Sequence, residues 1–324
     1  MPRPIVIVGS INMDLVCRTQ RIPRAGETIL GDSFVTIPGG KGANQAVAAA
    51  KLAPAGTPVH MIGRVGEDDF GERLLNGLSR HKVNTKFVTV TEGVASGVGI
   101  VLVDQEGENS IVVAPGANAR LSPADVDKAE ALIRSASVVV MQLEVPYATI
   151  RRTIAICRDA HVFTILDPAP APRKPLARAM HHVDIFTPNQ SEAELLLGLE
   201  QSHRVKRKRI ADPKQTSVDL LSRGPRAVVL KLGPKGCLYA SRDAVEAAGA
   251  FRVKVRDTTA AGDAFTAALA VAHAERMPRS DMLTFANAAG ALCCTEFGAQ
   301  PALPARADVK ELMNRPAGGS GIRW

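Results

Sequence analysis

VVVMQLEVPYATIRRTIAICRDAHVFTIL, residues 138–166, reads as strand, helix, strand. Val138–Met141 is an unbroken apolar run too short for a helix, as expected of a strand buried on both faces. A helix is predicted near 146–158 and a second apolar strand at 162–166. The same rhythm continues downstream, with short apolar strands at 184–187 and 227–231 and helices near 191–198 and 214–223. Upstream, Ile5–Val8 and Val59–Ile62 are strands, while 42–53 and 69–80 are helices, and two strong helices follow at about 261–275 and 279–294. Strands alternating with helices predict an α/β protein whose mostly parallel sheet is covered on both faces.

Four segments break this rhythm: 14–20, 28–37, 97–103 and 110–114 are short, half-polar and alternating. The last two flank Asp104-Gln-Glu-Gly107, which has turn character. They predict a separate small sheet inserted at two points in the N-terminal half. A sheet that small has an exposed face and open edges, so it needs cover from the active-site mouth or from another subunit.

The chain has 324 residues, 46% of them hydrophobic and 22% charged, an ordinary globular composition. No run reaches the roughly 18 apolar residues of a membrane span, and the first residues enter a strand with no signal-peptide pattern. The net charge is +8, and the run His203–Arg209 supplies five of the positive charges. That run reads as a solvated surface loop, with a nucleic-acid or targeting patch as the alternative. Only 4% of residues are aromatic, which leaves few stacking platforms for single strands. Five cysteines without a CxxC pair argue for a reducing cytoplasm and against a disulfide framework or a zinc site.

Asp257-Thr-Thr-Ala-Ala-Gly-Asp263 runs directly into the helix Ala264-Phe-Thr-Ala-Ala-Leu-Ala. A helix start has unpaired N–H groups and partial positive charge, and small residues at 260–262 let an anion approach them. Asp263 is then placed to take a proton from a hydroxyl that attacks the anion, as phosphoryl transfer to an alcohol requires. Taken alone, the stretch is equally readable as a capped helix. Pro38-Gly-Gly-Lys-Gly-Ala-Asn44 is a second glycine cluster before a helix. It is neither a Walker A loop nor G-x-G-x-x-G. Gly39 and Gly40 allow close backbone approach, while Lys41 and Asn44 offer a cation and an amide. Asn12 and Asp14 follow the first strand, where open α/β sheets bind ligands, and their spacing suits vicinal hydroxyls; taken alone, this pair and the glycine cluster each also read as turn chemistry. In Thr187-Pro-Asn-Gln-Ser-Glu192 the acid either caps a helix or holds a hydrated magnesium ion. Lys231-Leu-Gly-Pro-Lys-Gly236 reads as a hairpin.

GGKGANQAVAAAKL and DTTAAGDAFTAALA, in this order and preceded by GSINMD and RIPRAGET, resemble the two signatures of the PfkB family of carbohydrate kinases, most closely its ribose-phosphorylating branch. The likeness runs from Gly9 to about Pro304. It implies a Rossmann-like α/β/α sandwich with a β-sheet lid that also forms a dimer contact. One kinase domain would span 1–314, with lid segments at about 14–37 and 95–115 and a loose tail at 315–324. It implies ATP-dependent phosphorylation of D-ribose at O5. Asp263 would be the base, and the N–H groups of Ala260, Ala261 and Gly262 the anion hole. Asn12, Asp14, Gly40, Lys41, Gly42, Asn44 and Glu144 would hold the sugar. Asn189, Lys231, Gly233, Gly236, Gly262 and Asn287 would line the ATP site, and Glu192 would organise magnesium. An activating potassium ion would take Asp257 and the carbonyls of Thr259, Cys293, Glu296 and Gly298, and its last ligand position falls near Ala302, where water or a carbonyl would replace a side-chain oxygen. Two positions depart from the family pattern: Ala302 where serine is frequent, and Lys231 where threonine is usual. Another small sugar (deoxyribose, fructose), a nucleoside, or a non-catalytic sugar-binding role are the alternatives. No nucleic-acid or membrane partner is expected.

Overall fold

The computed structural model describes residues 2–199 and 212–315. The basic run 203–209 and the tail beyond 315 lie outside the described residues. The N-terminal half contains β1 (Ile5–Val8), β2 (Asn12–Thr19), β3 (Gly31–Gly39), α1 (Lys41–Leu52), β4 (Val59–Gly66), α2 (Asp69–Arg80), β5 (Val83–Thr91), β6 (Gly97–Val103) and β7 (Asn109–Ala114). Next come α3 (Pro123–Lys128), α4 (Glu130–Ser135), β8 (Val138–Met141), α5 (Tyr147–Asp159), β9 (Phe163–Leu166), β10 (Ile185–Phe186), α6 (Gln190–Leu197) and α7 (Pro213–Leu221). The chain continues through β11 (Ala227–Lys231), β12 (Cys237–Ser241), β13 (Val245–Ala248), α8 (Ala261–Ala274), α9 (Arg279–Cys293) and α10 (Arg306–Asn314).

The main sheet has the strand order β13-β12-β11-β10-β9-β8-β1-β4-β5. It is parallel from β11 to β5 and antiparallel only where β12 and β13 fold back. Successive strand residues point to opposite faces, which divides the core in two. Ile5, Ile7, Val138 and Val140 pack under α1, α2, α8, α9 and α10. Val6, Val8, Val139 and Met141 pack under α3 to α7. This is the expected α/β/α sandwich. The chain leaves β1 toward β4 on one side and β8 on the other, so the strand order reverses beside β1. Crevices open at the carboxyl ends of the strands at such a point.

The four alternating segments form a second sheet of order β3-β2-β6-β7. It begins at Asn12, two residues before the expected start. β5, β13 and α10 had no counterpart in the sequence reading, and β12 entered it only as the return arm of the hairpin after Lys231. β5 lies at the edge of the sheet and alternates half-buried with exposed residues, so it lacks the apolar run that marks the central strands. The strand expected at 184–187 is only Ile185–Phe186. The turn after Lys231 does form the expected hairpin, closed by the Leu232 N–H on the Gly236 carbonyl at 2.8 Å. Among the described residues, no helix is long and apolar enough to cross a membrane.

Candidate active site

Asn12, Glu144, Asn189 and Lys231 all lie at or just beyond the carboxyl ends of β1, β8, β10 and β11, and α8 directs its N-terminus at the same crevice. Asp263, in the first turn of α8, is buried. One carboxylate oxygen accepts from Asn44 Nδ2 at 3.0 Å and the other from Gln45 Nε2 at 3.0 Å. Both donors sit in the first turns of α1, so packing α1 against α8 fixes this carboxylate. Burial lifts the Asp263 pKa to about 6, with Lys41 and the two amides opposing and Asp167 adding to the rise. A carboxylate so tuned is ionised at neutral pH and still basic enough to accept a proton.

Toward the small sheet, Asn118, which the sequence reading did not single out, donates to Asn12 Oδ1 at 2.7 Å and orients it. Asp14 lies between Gly39 on β3 and Gly99 on β6. A Cβ at Gly39 would reach within 2.1 Å of one Asp14 carboxylate oxygen, and one at Gly99 within 2.5 Å of the other. Only glycine leaves room for that carboxylate. Burial, with Glu144 and Asp263 nearby, raises the Asp14 pKa to about 7 against the pull of Lys41. Glu144 accepts from Ser10 Oγ at 2.5 Å and from the Lys41 backbone N–H at 3.2 Å. Burial works against the Lys41 charge, but Asp263, Glu144, Asp167 and Glu192 together hold its pKa above the ordinary lysine value. Gly40 has φ +86°, and Gly42 seats α1 on the Gly9–Ser10 backbone. Asn44 Oδ1 is buried with no donor among the described residues, which costs roughly 1–3 kcal/mol until a hydroxyl supplies one.

At the start of α8, Ala260 takes a left-handed φ of +60°, a strained state for alanine that costs about 1–3 kcal/mol. It turns the backbone so that the N–H groups of Ala260 and Gly262 have no acceptor among the described residues, while that of Ala261 makes a long 3.3 Å bond to Thr258 O. Lys231 forms an ion pair with Asp167 at 2.9 Å. Asp167 is buried at the end of β9 and also accepts from Gln45 Nε2 at 3.2 Å and Thr266 Oγ1 at 3.3 Å. The sequence reading missed it, although its place directly after an apolar strand matches that of the other site residues. Asn189 and Glu192 form a reciprocal capping box, so the capping role of Glu192 is real. One of its oxygens receives the Asn189 N–H at 2.7 Å. Burial raises the Glu192 pKa, with Lys231 opposing and Asp167 reinforcing. Gly233 and Gly236 have positive φ in the hairpin. The Asn287 amide is spent on the Ala248 and Gly249 carbonyls at 3.0 and 3.1 Å. Asn287 therefore pins the edge of the crevice.

At the back of the α8 turn, Asp257 accepts from the Thr259 N–H and hydroxyl at 2.9 and 2.7 Å and from the Gly298 N–H at 2.9 Å. Burial would raise the Asp257 pKa, but these donors and Arg18 hold it below the usual carboxylate range. Cys293 Sγ donates to Thr259 O at 3.5 Å. The fold thus gathers Asp257, Thr259, Cys293 and Gly298. The Glu296 side chain is exposed and pairs with Arg256. Ala302 is buried and brings no side-chain oxygen. Asp257 brings a carboxylate to this group, a hard-oxygen donor that suits a monovalent cation.

A buried carboxylate, adjoining backbone N–H groups without acceptors among the described residues and a polar wall beside them suit a phosphotransferase acting on an alcohol. The chain belongs to the PfkB family: the profile described as pfkB family carbohydrate kinase matches residues 3–306. It is 38% identical over 313 residues to "Ribokinase" of Bacillus subtilis, covering 96% of this chain and 100% of the relative. It is 32% identical over 310 residues to "Deoxyribokinase" of Salmonella typhi, covering 96% and 98%. The solved structure of Arabidopsis thaliana ribokinase complexed with ribose and ATP superposes with a TM-score of 0.86 at 32% identity, covering 98% of this chain and 100% of that one.

Proposed function

We propose that this protein transfers the γ-phosphoryl group of ATP to the O5 hydroxyl of D-ribose, giving D-ribose 5-phosphate and ADP. The observation that carries this is Asp263, a buried carboxylate held by Asn44 and Gln45 between the sugar wall and the N-terminus of α8. Asn12, Asp14, Lys41, Asn44 and Glu144 fix the sugar through its hydroxyls, with Gly40 and Gly42 setting the backbone around them. Asp263 removes the O5 proton as O5 attacks the γ-phosphorus, and the bond to ADP breaks. The N–H groups of residues 260–262 stabilise charge on the equatorial oxygens, which is where it resides in such transfers. Asn189, Lys231, Gly233 and Gly236 line the nucleotide side, with Asn287 shaping its edge.

Magnesium would neutralise phosphate charge when bound with ATP, and the Glu192 oxygen outside the capping bond would hold its water. A potassium ion would take Asp257 and the carbonyls of Thr259, Cys293, Glu296 and Gly298, with water or a carbonyl near Ala302 in place of a side-chain oxygen. The deoxyribokinase relative supports a second reading in which 2-deoxyribose is the acceptor. ADP production is measured on ribose, deoxyribose, fructose and adenosine, each with potassium and with sodium. The expected result is fastest turnover on ribose, rising with potassium. Preference for deoxyribose would replace the substrate and keep the mechanism, and equal rates in the two salts would remove the cation site.

The small sheet serves as a lid over the sugar and as a homodimer contact in a cytoplasmic enzyme. Phe34, Val35, Ile111 and Val112 are large, apolar and exposed on it, and a patch of that kind calls for a partner. Light scattering should give twice the chain mass, and Phe34→Asp should halve it. A monomeric wild type would end this part of the proposal.

A further inference from the structure

Lys231 is half-buried at the end of β11, with its side chain 12% exposed. An ammonium carries three donors, yet Asp167 is the only acceptor for Lys231 Nζ among the described residues. Asp167 already has two other donors, Gln45 and Thr266. The ammonium therefore has spare donors, and their direction is informative. Outside its own helix, Gly262 has one heavy atom within 4 Å of the place a Cβ would occupy, and that atom is Lys231 Nζ at 3.5 Å. The ammonium thus stands over the middle residue of the backbone turn that offers its N–H groups to an anion. The nearby hydrogen bonds form one chain, from Lys231 to Asp167, from Asp167 to Gln45 Nε2, and from Gln45 to Asp263.

We infer that Lys231 is a catalytic cation for the transferring phosphoryl group, and that Asp167 is the positioning residue that aims it at the Gly262 turn. This rests on the phosphotransfer reading and adds a side-chain charge to what backbone donors alone would supply. Lys231 stays protonated throughout. The phosphoryl group leaves the β-phosphate oxygen of ADP and joins the sugar oxygen, while the proton goes to Asp263. As charge spreads over the equatorial oxygens, the ammonium meets a stronger partner than in the ground state, so its effect falls on the rate more than on nucleotide binding. The competing role is charge balance, with Lys231 serving only to neutralise the buried Asp167.

The test uses the full chain with Lys231→Met, Asp167→Asn and the double variant D167N/K231M. The double variant removes both charges and so leaves no buried ion unpaired. Calorimetry compares ADP with ADP plus aluminium fluoride, a mimic of the group in flight, with magnesium present and both with and without ribose. Lys231→Met is expected to weaken the fluoride complex by about 10²-fold, to leave ADP within about threefold, and to lower kcat by about 10²–10³-fold, as for loss of one transition-state donor. The double variant is expected to be no faster than Lys231→Met, because Asp167 acts through Lys231. Recovery of near wild-type kcat in the double variant would show mere neutralisation and overturn the inference. So would equal weakening of ADP and its fluoride complex. The binding comparison is independent of which sugar is the substrate, so failure on ribose and failure of Lys231 read out separately.

Discussion

Asp263→Asn is expected to lower kcat by about 10²–10⁴-fold while ribose affinity changes little, because a positioned base is lost and its shape is kept. The amide still fills the space between Asn44 and Gln45, and the sugar wall is untouched. In the wild type, kcat/KM reports ionisations of the free enzyme. It should rise from acid pH through the two carboxylates, at about 6 for Asp263 and about 7 for Asp14. Both are active as anions, so activity is lost as pH falls through this window. The two interact, so the profile gives values for the pair. Asp263→Asn should leave a single step, that of Asp14, moved to lower pH because the Asp263 charge that helps raise it is gone. Stopped or coupled assays of ADP release across pH, with calorimetry for ribose, measure all of this. A variant within about threefold of wild-type kcat would remove Asp263 from the mechanism.

Gly42→Ala should damage stability and catalysis together. Its Cβ would come within 2.7 Å of Gly9 C and of Ser10 N and O, all backbone atoms that cannot rotate away. Helix α1 must move off the β1 loop, at a cost of about 1–3 kcal/mol for overpacking. The same shift disturbs the Ala43 N–H bond to Ser10 O and the Lys41 N–H bond to Glu144, and it carries Asn44 and Gln45 away from Asp263. Misplacing catalytic groups by about 1 Å costs on the order of 10²-fold, so kcat/KM should fall by about that much. The matched control is Gly77→Ala in α2, where a Cβ meets nothing within 4 Å and the gain should be about 0.4–1 kcal/mol. Denaturant melts and steady-state kinetics on the pair separate the effects. Equal stability for the two variants would show that α1 is not seated as described.

The central strands, the glycine clusters and the place of Asp263 before an Ala-rich helix were legible in the chain because each depends on near neighbours. Apolar runs bury strands on both faces, and small residues open a helix N-terminus wherever it lies in the fold. The edge strand β5 was not legible, since half-burial leaves a pattern close to that of a polar loop. Tertiary structure alone decided the partners. Asp167 meets Gln45 across 122 residues and Lys231 across 64. Asn118 reaches Asn12 across 106, and Gly39 and Gly99 flank Asp14 only because β3 and β6 pair on either side of β2. Such bonds are set by which strands lie side by side and how closely α1 approaches α8. Local periodicity carries the type of each element, and only packing carries the distances on which pKa, orientation and catalysis depend.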